Sequence, residues 1–462
     1  MDLAGRRVVV MGLGRFGGGV GVTRYLARQG ARVVVTDRLG EGELRDSLGK
    51  IADLKNVTYR LAGHAERDFR EAELVVANPA VPPDNEYLAA ARAASVPVTS
   101  EIRLLTQRLP DRRRVIGVTG SAGKSTVTAM IGHILKRCVG SNPKSDIRNP
   151  RPPRVWVGGN LGGSLLECLD DIAAEDWVVL ELSSFMLHGL AEDRWSPHIA
   201  VVTNIAPNHL DWHGSFEAYV AAKQAIFDHQ QPGDIAVLGA GVTEHLRPGV
   251  GHVIEQHVGP PLPGTRICED LPELPLNLPG AHNVRNAVCA LDALWAVGIT
   301  GADAAAALAD FTGLPHRLQL VAEHAGVRCY NDSKATTPEA ARLAIASFDA
   351  GCVHAILGGY DKGSDLAALA RFARAHCRAI YTIGGTGEVI ADAAEAGDGQ
   401  AEVVRAGELD AAVGEIARRA RRGDVVLLSP GCASWDQFAS YEQRGARFVE
   451  AVLRHLTETG KV

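Results

Sequence analysis

Apolar runs that suit strands buried on both faces recur along the chain: VVVMG (8–12), ARVVVTD (31–37), ELVVAN (73–78), RVIGVTG (114–120), WVVLELSS (177–184), HIAVVTNI (198–205), GDIAVLG (233–239), VHAILGG (353–359), AIYTIGG (379–385) and DVVLLSPG (424–431). Amphipathic helical patterns lie between many of them, such as TVTAMIGHILKR (126–137) and TPEAARLAIASF (337–348). Strands alternating with helices predict an α/β fold of doubly wound parallel sheets. Two polar breaks, LPDRRR (109–114) and TGLPHRLQLV (312–321), each precede a new strand. They divide the chain into domains expected at 1–110, 111–313 and 314–462. The Pro- and charge-rich stretch SNPKSDIRNPRPPR (141–154) reads as a solvated loop.

The length agrees with that division, because 462 residues exceed what one core encloses. A net charge of -6 argues against a nucleic-acid surface but leaves room for a local basic cleft. The eight cysteines are scattered with no C-x-x-C, which suits a reducing compartment. No cationic stretch followed by a long apolar segment opens the chain, and no window approaches a bilayer span. A cytoplasmic protein without membrane insertion is expected.

Two nucleotide signals stand about a hundred residues apart. In GLGRFG (12–17), Gly12, Gly14 and Gly17 follow a strand and precede a helix, and Asp37 ends the next apolar run. Glycines there let backbone N–H groups approach a phosphate, and the acid suits a ribose or a base. The same glycines also suit plain close packing of helix on strand. TGSAGKST (119–126) follows a strand and opens a helix, with Val118 where a phosphate loop usually has its first glycine. Its consecutive N–H groups form an anion nest, Lys124 reaches the outer phosphates of ATP or GTP, and Ser125 or Thr126 offers a hydroxyl to Mg²⁺.

Other groups fall at the same kind of position. Glu181 ends a strand, where a metal-holding or water-positioning acid belongs, or a locally paired structural one. His209, Asp211 and His213 in NHLDWHG suit either a metal or polar turn chemistry. Lys223 shares a helical stripe with Phe216, Val220 and Phe227, so its amine is desolvated, snorkels, or finds a partner. In the last third, LPHR (314–317), YNDSKATTPEA (330–340), LGGYDKGSD (357–365) and LLSPGCASWDQF (427–438) set Asp332, Lys334 and Lys362 at strand C-terminal ends. Cations there suit a carboxylate-bearing substrate.

Together TGSAGKST, GGNLG (158–162), ELSSF (181–185), NIAPNHLDWHGSFEAYVAAK (204–223), GAHNVRNA (280–287), LPHR, NDSKATT, GGYDKG and SPGCASWDQF resemble the Mur ligases over nearly the whole chain. The resemblance implies a Rossmann-like first domain that holds UDP rather than NAD, a central P-loop domain for ATP, and a Rossmann-like third domain for the incoming amino acid. It implies ATP-dependent addition of glutamate, D-glutamate by its third-domain motifs, to UDP-N-acetylmuramoyl-L-alanine through an acyl phosphate. L-glutamate or a folate-type acceptor is the alternative within the family. An NAD oxidoreductase or a regulatory P-loop switch leaves most of these motifs unused.

Position by position, the resemblance gives Lys124, Glu181, His209 and Lys223 as catalytic. It assigns ATP to Gly120, Ser121, Ala122, Gly123, Lys124, Ser125, Thr126, Asn286, His316, Arg317 and Asp332. Two Mg²⁺ ions fall to Ser125 with Glu181 and to His209 with Lys223, the lysine carrying a CO₂-derived carbamate. Gly14, Arg15, Asp37 and Asn160 meet the UDP-linked substrate, and Thr336, Lys362, Ser434 and Tyr441 receive glutamate. The expected partners are these small molecules, with no nucleic acid and a monomeric chain. Gly431 stands where Ala is usual in the family, Met186 where Gln is common, and Asn208 where an acid often precedes the histidine; the residues around Asp37, the run Arg15-Phe16-Gly17-Gly18-Gly19 and the longer loop 139–154 also depart from the family pattern.

Overall fold

A computed structural model describes residues 2–15, 17–139, 151–255, 274, 276–299, 301–361 and 363–457. Three sheets organise it. The first comprises β1 (Arg7–Met11), β2 (Arg32–Thr36), β3 (Val57–Arg60), β4 (Leu74–Ala77) and β5 (Val98–Thr99), in the order β3-β2-β1-β4-β5. The second comprises β6 (Val115–Thr119), β7 (Val155–Gly159), β8 (Trp177–Glu181), β9 (Ile199–Val202), β10 (Ile235–Leu238) and β11 (His252–Glu255), in the order β11-β10-β9-β6-β8-β7. The third comprises β12 (Gln319–His324), β13 (Val327–Asn331), β14 (Val353–Gly358), β15 (Ala379–Ile383), β16 (Glu402–Gly407) and β17 (Val425–Leu428), in the order β12-β13-β17-β14-β15-β16. All described pairings are parallel except β12 on β13. The fold is the expected α/β class with parallel sheets.

The apolar runs read from sequence occupy the interior of each sheet. β4, β6, β8, β9, β14, β15 and β17 are buried at every position, as strands covered on both faces must be. Of the strands that escaped that reading, β3, β5, β7, β11, β12 and β16 stand at sheet edges, while β13 is interior with Arg328 exposed at its second position. Their burial is broken, as in the exposed tail of β3 and the nearly open β11, so no continuous apolar run marks them.

The described chain forms two compact units: Met1–Leu274 with Arg285–Leu308, and Pro275–Val284 with Ala309–Val462. Within the first unit, the first two sheets share one apolar core that runs from Leu3 to Leu246. The helix Glu101–Thr106 also ties them together. Arg103 donates two bonds to Asp193, at 2.9 and 2.5 Å, and a third to Glu192, while Ser164 donates to Glu101 at 2.8 Å. In the second unit, two apolar clusters lie on the third sheet, one holding Leu357, Leu369 and Leu427, the other Ile356, Leu428 and Phe448. Among the described residues no helix is long and apolar enough to cross a membrane.

Candidate active site

β6 delivers the chain into the loop 120–123, and the helix Lys124–Val139 starts directly behind it. The loop needs its glycines. Gly120 has φ +145°, and a Cβ there would sit 2.0 Å from Thr203 Oγ1; Gly123 has φ +79°, and a Cβ there would sit 2.3 Å from Asn286 Oδ1. Asn286, from the helix Ala281–Trp295, is thereby packed against the loop. A second strand end braces it from below. Asn204 O accepts from Ser121 N, Asn204 Oδ1 accepts from Ala122 N at 3.0 Å, and Asn204 Nδ2 donates to Ala122 O at 2.9 Å. A loop held this firmly keeps its amides aimed outward without a ligand. Lys124 Nζ donates to Gly120 O and Ser121 O, and Ser125 is buried in the first helical turn.

Lys223 does not snorkel. It is 1% exposed on the helix Phe216–Asp228, whose buried face is Tyr219, Ala222, Lys223, Ile226 and Phe227; Phe216 and Val220 are only partly buried. Its Nζ donates to Gly120 O at 2.9 Å and Thr119 Oγ1 at 3.1 Å, beneath the phosphate loop. Burial pushes this amine well below the usual lysine range; nearby Lys124 pushes the same way and Glu181 opposes. Tyr219, one turn earlier, carries the amine 4.9 Å from its ring centroid and shares a 2.8 Å hydrogen bond with Ser121 Oγ.

Glu181 lies level with Val118 in the β6–β8 register and is 1% exposed. Its Oε1 accepts from Asn160 Nδ2 at 2.8 Å, while its Oε2 is buried without a hydrogen-bond partner among the described residues. A bare buried carboxylate oxygen beside a phosphate loop is the donor a hard divalent cation takes. His209 opens the short helix Leu210–His213 in a left-handed conformation, φ 52°, with Asn208 Oδ1 accepting its N–H at 2.9 Å. Its ring lies tilted against that of Phe185, with centroids 4.9 Å apart, and partial burial, with Lys124 behind it, lowers its pKa. His209, Asp211 and His213 are not gathered as a chelating trio: among the described residues no three His, Cys, Asp or Glu side chains are. His213 instead shares a 2.9 Å hydrogen bond with Ser184, and burial, with His188 and His209 close by, lowers its pKa to about 4.

The glycine loop of the first sheet is tied to its acid. Asp37 Oδ2 accepts from Gly14 N at 2.9 Å and Oδ1 from Leu39 N at 2.9 Å. Arg15 pairs with Glu43 at 2.6 Å. Gly19 is needed for close packing, since a Cβ there would meet Leu13 O at 2.3 Å. A cavity of about 280 Å³ runs from Gly12, Gly18 and Gly19 to Asn160 and Ser183.

In the second unit, the loops after β13 and β17 meet. Asp332 accepts from Leu318 N at 3.1 Å and Ser429 Oγ at 2.7 Å, and burial raises its pKa to about 7. His316, at φ 62°, shares a hydrogen bond with Asn331 and packs edge-on to Tyr441 at 5.9 Å. Lys334 Nζ lies 5.3 Å from the same ring, and Arg317 is drawn into the set by its charge on Asp332. Arg444, 1% exposed, donates to Ser333, Cys432 and Ala433, which fastens the loop of Thr336 to the loop of Ser434. Lys362 lies outside the described residues. Sequence reasoning had missed Asn204, Tyr219 and Arg444. Tyr219 stands one turn from Lys223, a usable signal; a lone arginine in a polar helix gives none.

Three family models match in chain order: Mur ligase MurD-like, N-terminal domain over residues 6–100, Mur ligase middle domain over 118–246, and Mur ligase, glutamate ligase domain over 316–432. The UDP-N-acetylmuramoylalanine–D-glutamate ligase of Acidobacterium capsulatum is 38% identical, with 98% of each chain covered. The enzyme of the same name from Koribacter versatilis is 38% identical with 100% of each covered, and that of a Roseiflexus species 39% with 97% of this chain and 98% of the relative.

The chain belongs to the Mur ligase family.

Solved Mur ligases share its fold. The UDP-N-acetylmuramate-alanine ligase MurC of Thermotoga maritima superposes with a TM-score of 0.58 at 21% identity, covering 97% of this chain and 99% of that one. The MurF ligase of the same organism, in complex with ADP, gives 0.54 at 17% identity, covering 99% of each. Two departures of this Mur ligase have local reasons. Gly431 has φ +68°, and a Cβ there would meet Leu369 Cδ2 at 2.4 Å; Asn208 supplies the hydrogen bond that holds His209 in its left-handed turn.

Proposed function

We propose that this Mur ligase joins glutamate, in its D form, to UDP-N-acetylmuramoyl-L-alanine at the expense of ATP, in the cytoplasmic assembly of peptidoglycan precursors. The substrate carboxylate attacks the γ-phosphorus of ATP and ADP leaves. The glutamate amine then attacks the acyl phosphate, inorganic phosphate leaves, and the amine loses its proton. A carboxylate has no usable leaving group, so the phosphoryl transfer is what lets an amine displace it. The protein's part is positioning and charge neutralisation.

In this reading the segment 1–110 takes the UDP end through Gly14, Arg15 and Asp37, with Asn160 on the sugar side. The segment 111–313 takes ATP on Gly120–Thr126 and Asn286. The segment 314–462 adds His316, Arg317 and Asp332, and receives glutamate on Thr336, Lys362, Ser434 and Tyr441. The residues fit magnesium: Ser125 and Glu181 would hold one ion, and His209 with a carbamylated Lys223 a second. Magnesium, when bound, neutralises the phosphate oxygens. Lys223 is suited to the modification, because an amine kept neutral by burial is the form that adds CO₂.

The observation that carries the proposal is the meeting of Lys223, the bare oxygen of Glu181 and the phosphate loop in one buried place. The test is phosphate release with UDP-N-acetylmuramoyl-L-alanine and, in turn, D-glutamate, L-glutamate, meso-diaminopimelate or L-alanine. Turnover with D-glutamate alone is expected; turnover with another amino acid reassigns the acceptor, and turnover independent of any amino acid removes the proposal. Carboxylate oxygen label should pass into the released phosphate.

A further inference from the structure

Among the described residues, Arg444 is the largest side chain that the fold buries completely. Its Nε donates to Ser333 Oγ at 3.0 Å, one terminal nitrogen to Ala433 O at 3.1 Å, and the other to Ser333 O at 2.9 Å and Cys432 O at 3.1 Å. All of these acceptors are neutral. Asp436, the carboxylate whose charge reaches the guanidinium, is bonded to Gly385 N at 2.8 Å. Burial lowers the pKa of Arg444 only to about 10, so the group stays a cation at neutral pH.

Fastening two loops does not call for a charge. A guanidinium taken out of water without a counter-ion costs more than a neutral hydrogen-bonding group of similar reach. Its surroundings are dry: Ser333 is 0%, Ser434 2% and Cys432 4% exposed, so little water screens the charge. The place where it acts is set by the chain. Thr336 follows Ser333 in the loop after β13, and Ser434 follows Ala433 in the loop after β17. Tyr441 stands three residues before Arg444 on the helix Tyr441–Val452, and its carbonyl accepts from Ser333 Oγ at 2.8 Å. The loop after β14 comes as close, since a Cβ on Gly359 would sit 3.2 Å from the guanidinium, and Tyr360 N shares the acceptor Ala433 O at 2.9 Å. The segments assigned to glutamate thus meet around one cation, and a ligand with two carboxylates brings the counter-charge that the fold withholds.

We propose that Arg444 is a positioning residue for the incoming amino acid, acting through its buried, unpaired charge on the carboxylates of glutamate across the loops that it fastens. The inference rests on the ligase reading above. Sealed from solvent, the guanidinium acts through those loops rather than by contact. It favours a doubly negative amino acid over one in which either carboxylate has been made neutral.

The test sets D-glutamate against its two amides, D-glutamine and D-isoglutamine, each one negative charge poorer, in the parent protein, Arg444→Gln and Arg444→Lys. Phosphate release gives the KM for D-glutamate and the inhibition constants of the amides. Arg444→Gln should raise the KM for D-glutamate about tenfold, with kcat and the KM for UDP-N-acetylmuramoyl-L-alanine little changed. The amides should lose less, so the preference for D-glutamate over at least one of them shrinks about fivefold. Arg444→Lys keeps the charge but not the planar fork, and should keep that preference. An arginine that only fastened loops would weaken glutamate and its amides alike, and equal losses overturn the proposal, as does an unchanged KM for D-glutamate in Arg444→Gln. Where melting curves show that Arg444→Gln does not fold, Arg444→Lys decides: preference kept supports the proposal, and preference lost overturns it. A parent protein with no glutamate-dependent phosphate release overturns the ligase reading instead.

Discussion

Lys223 concentrates the chemistry of the first unit in a single residue. Water does not reach its amine, its two hydrogen bonds go to neutral oxygens, and the nearest charges are another cation and Glu181. Such a group is stable only if neutral or chemically changed. Lys223→Ala should lower turnover by about a hundred- to a thousandfold, with short-chain carboxylic acids restoring part of it by standing in for the carbamate. Unimpaired phosphate release in that variant would end the carbamate idea. Glu101 gives a residue-scale prediction about stability. Burial raises its pKa from 4.5 to about 7, against the opposing hydrogen bond from Ser164. The unfolded chain ionises this carboxyl first, so its contribution to stability is fullest below 4.5 and is lost as pH rises towards 7. Glu101→Gln, which keeps an acceptor for Ser164, should therefore gain on the parent as pH rises through that window and level off above it, by about 3 kcal/mol. Denaturant midpoints across pH 4 to 9 read this directly; a pH-independent difference would contradict it.

At the scale of elements, strand ends and the turns behind them do the positioning. The phosphate loop is shaped by two positive-φ glycines and by Asn204 at the end of β9, so loop and brace come from adjacent strands. Gly123→Ala should weaken nucleotide binding more than it weakens the fold, since its new methyl would meet the Asn286 side chain packed over the loop. Isothermal titration with an ATP analogue, beside a melting curve, separates the two. Gly431 makes the opposite case. It turns the chain after β17 with its N–H bonded to Ala335 O at 2.9 Å, and Gly431→Ala should destabilise the second unit by about 1–3 kcal/mol through its φ and the crowding of Leu369. The interior strands other than β13, whose run an exposed Arg328 interrupts, were legible as apolar runs because both faces are covered; the edge strands were not, because half their surface is open and their pattern resembles that of a loop.

Across the whole molecule, the residues assigned to ATP are divided between the two compact units, with Lys124 and Asn286 in one and Arg317 and Asp332 in the other. Arg317→Ala and Asp332→Asn should each weaken binding of an ATP analogue about tenfold by isothermal titration; unchanged affinity in both variants would remove these residues from the ATP set. The first unit should respond as one body, because its two sheets share an apolar core and the Arg103–Asp193 clasp.

The order of residues determined the layered α/β architecture, the phosphate loop, and the strand ends on which charged groups gather, because those features are written in short apolar runs and in glycines that no other residue replaces. It also marked Lys223 as out of place without saying where the amine goes. Only the folded chain decided that Lys223 lies under Gly120, that Glu181 keeps one oxygen without a hydrogen-bond partner among the described residues, and that Asp37 is bonded to Gly14. Each of these joins segments distant in sequence, and the burial that changes their chemistry exists only once the sheets have packed.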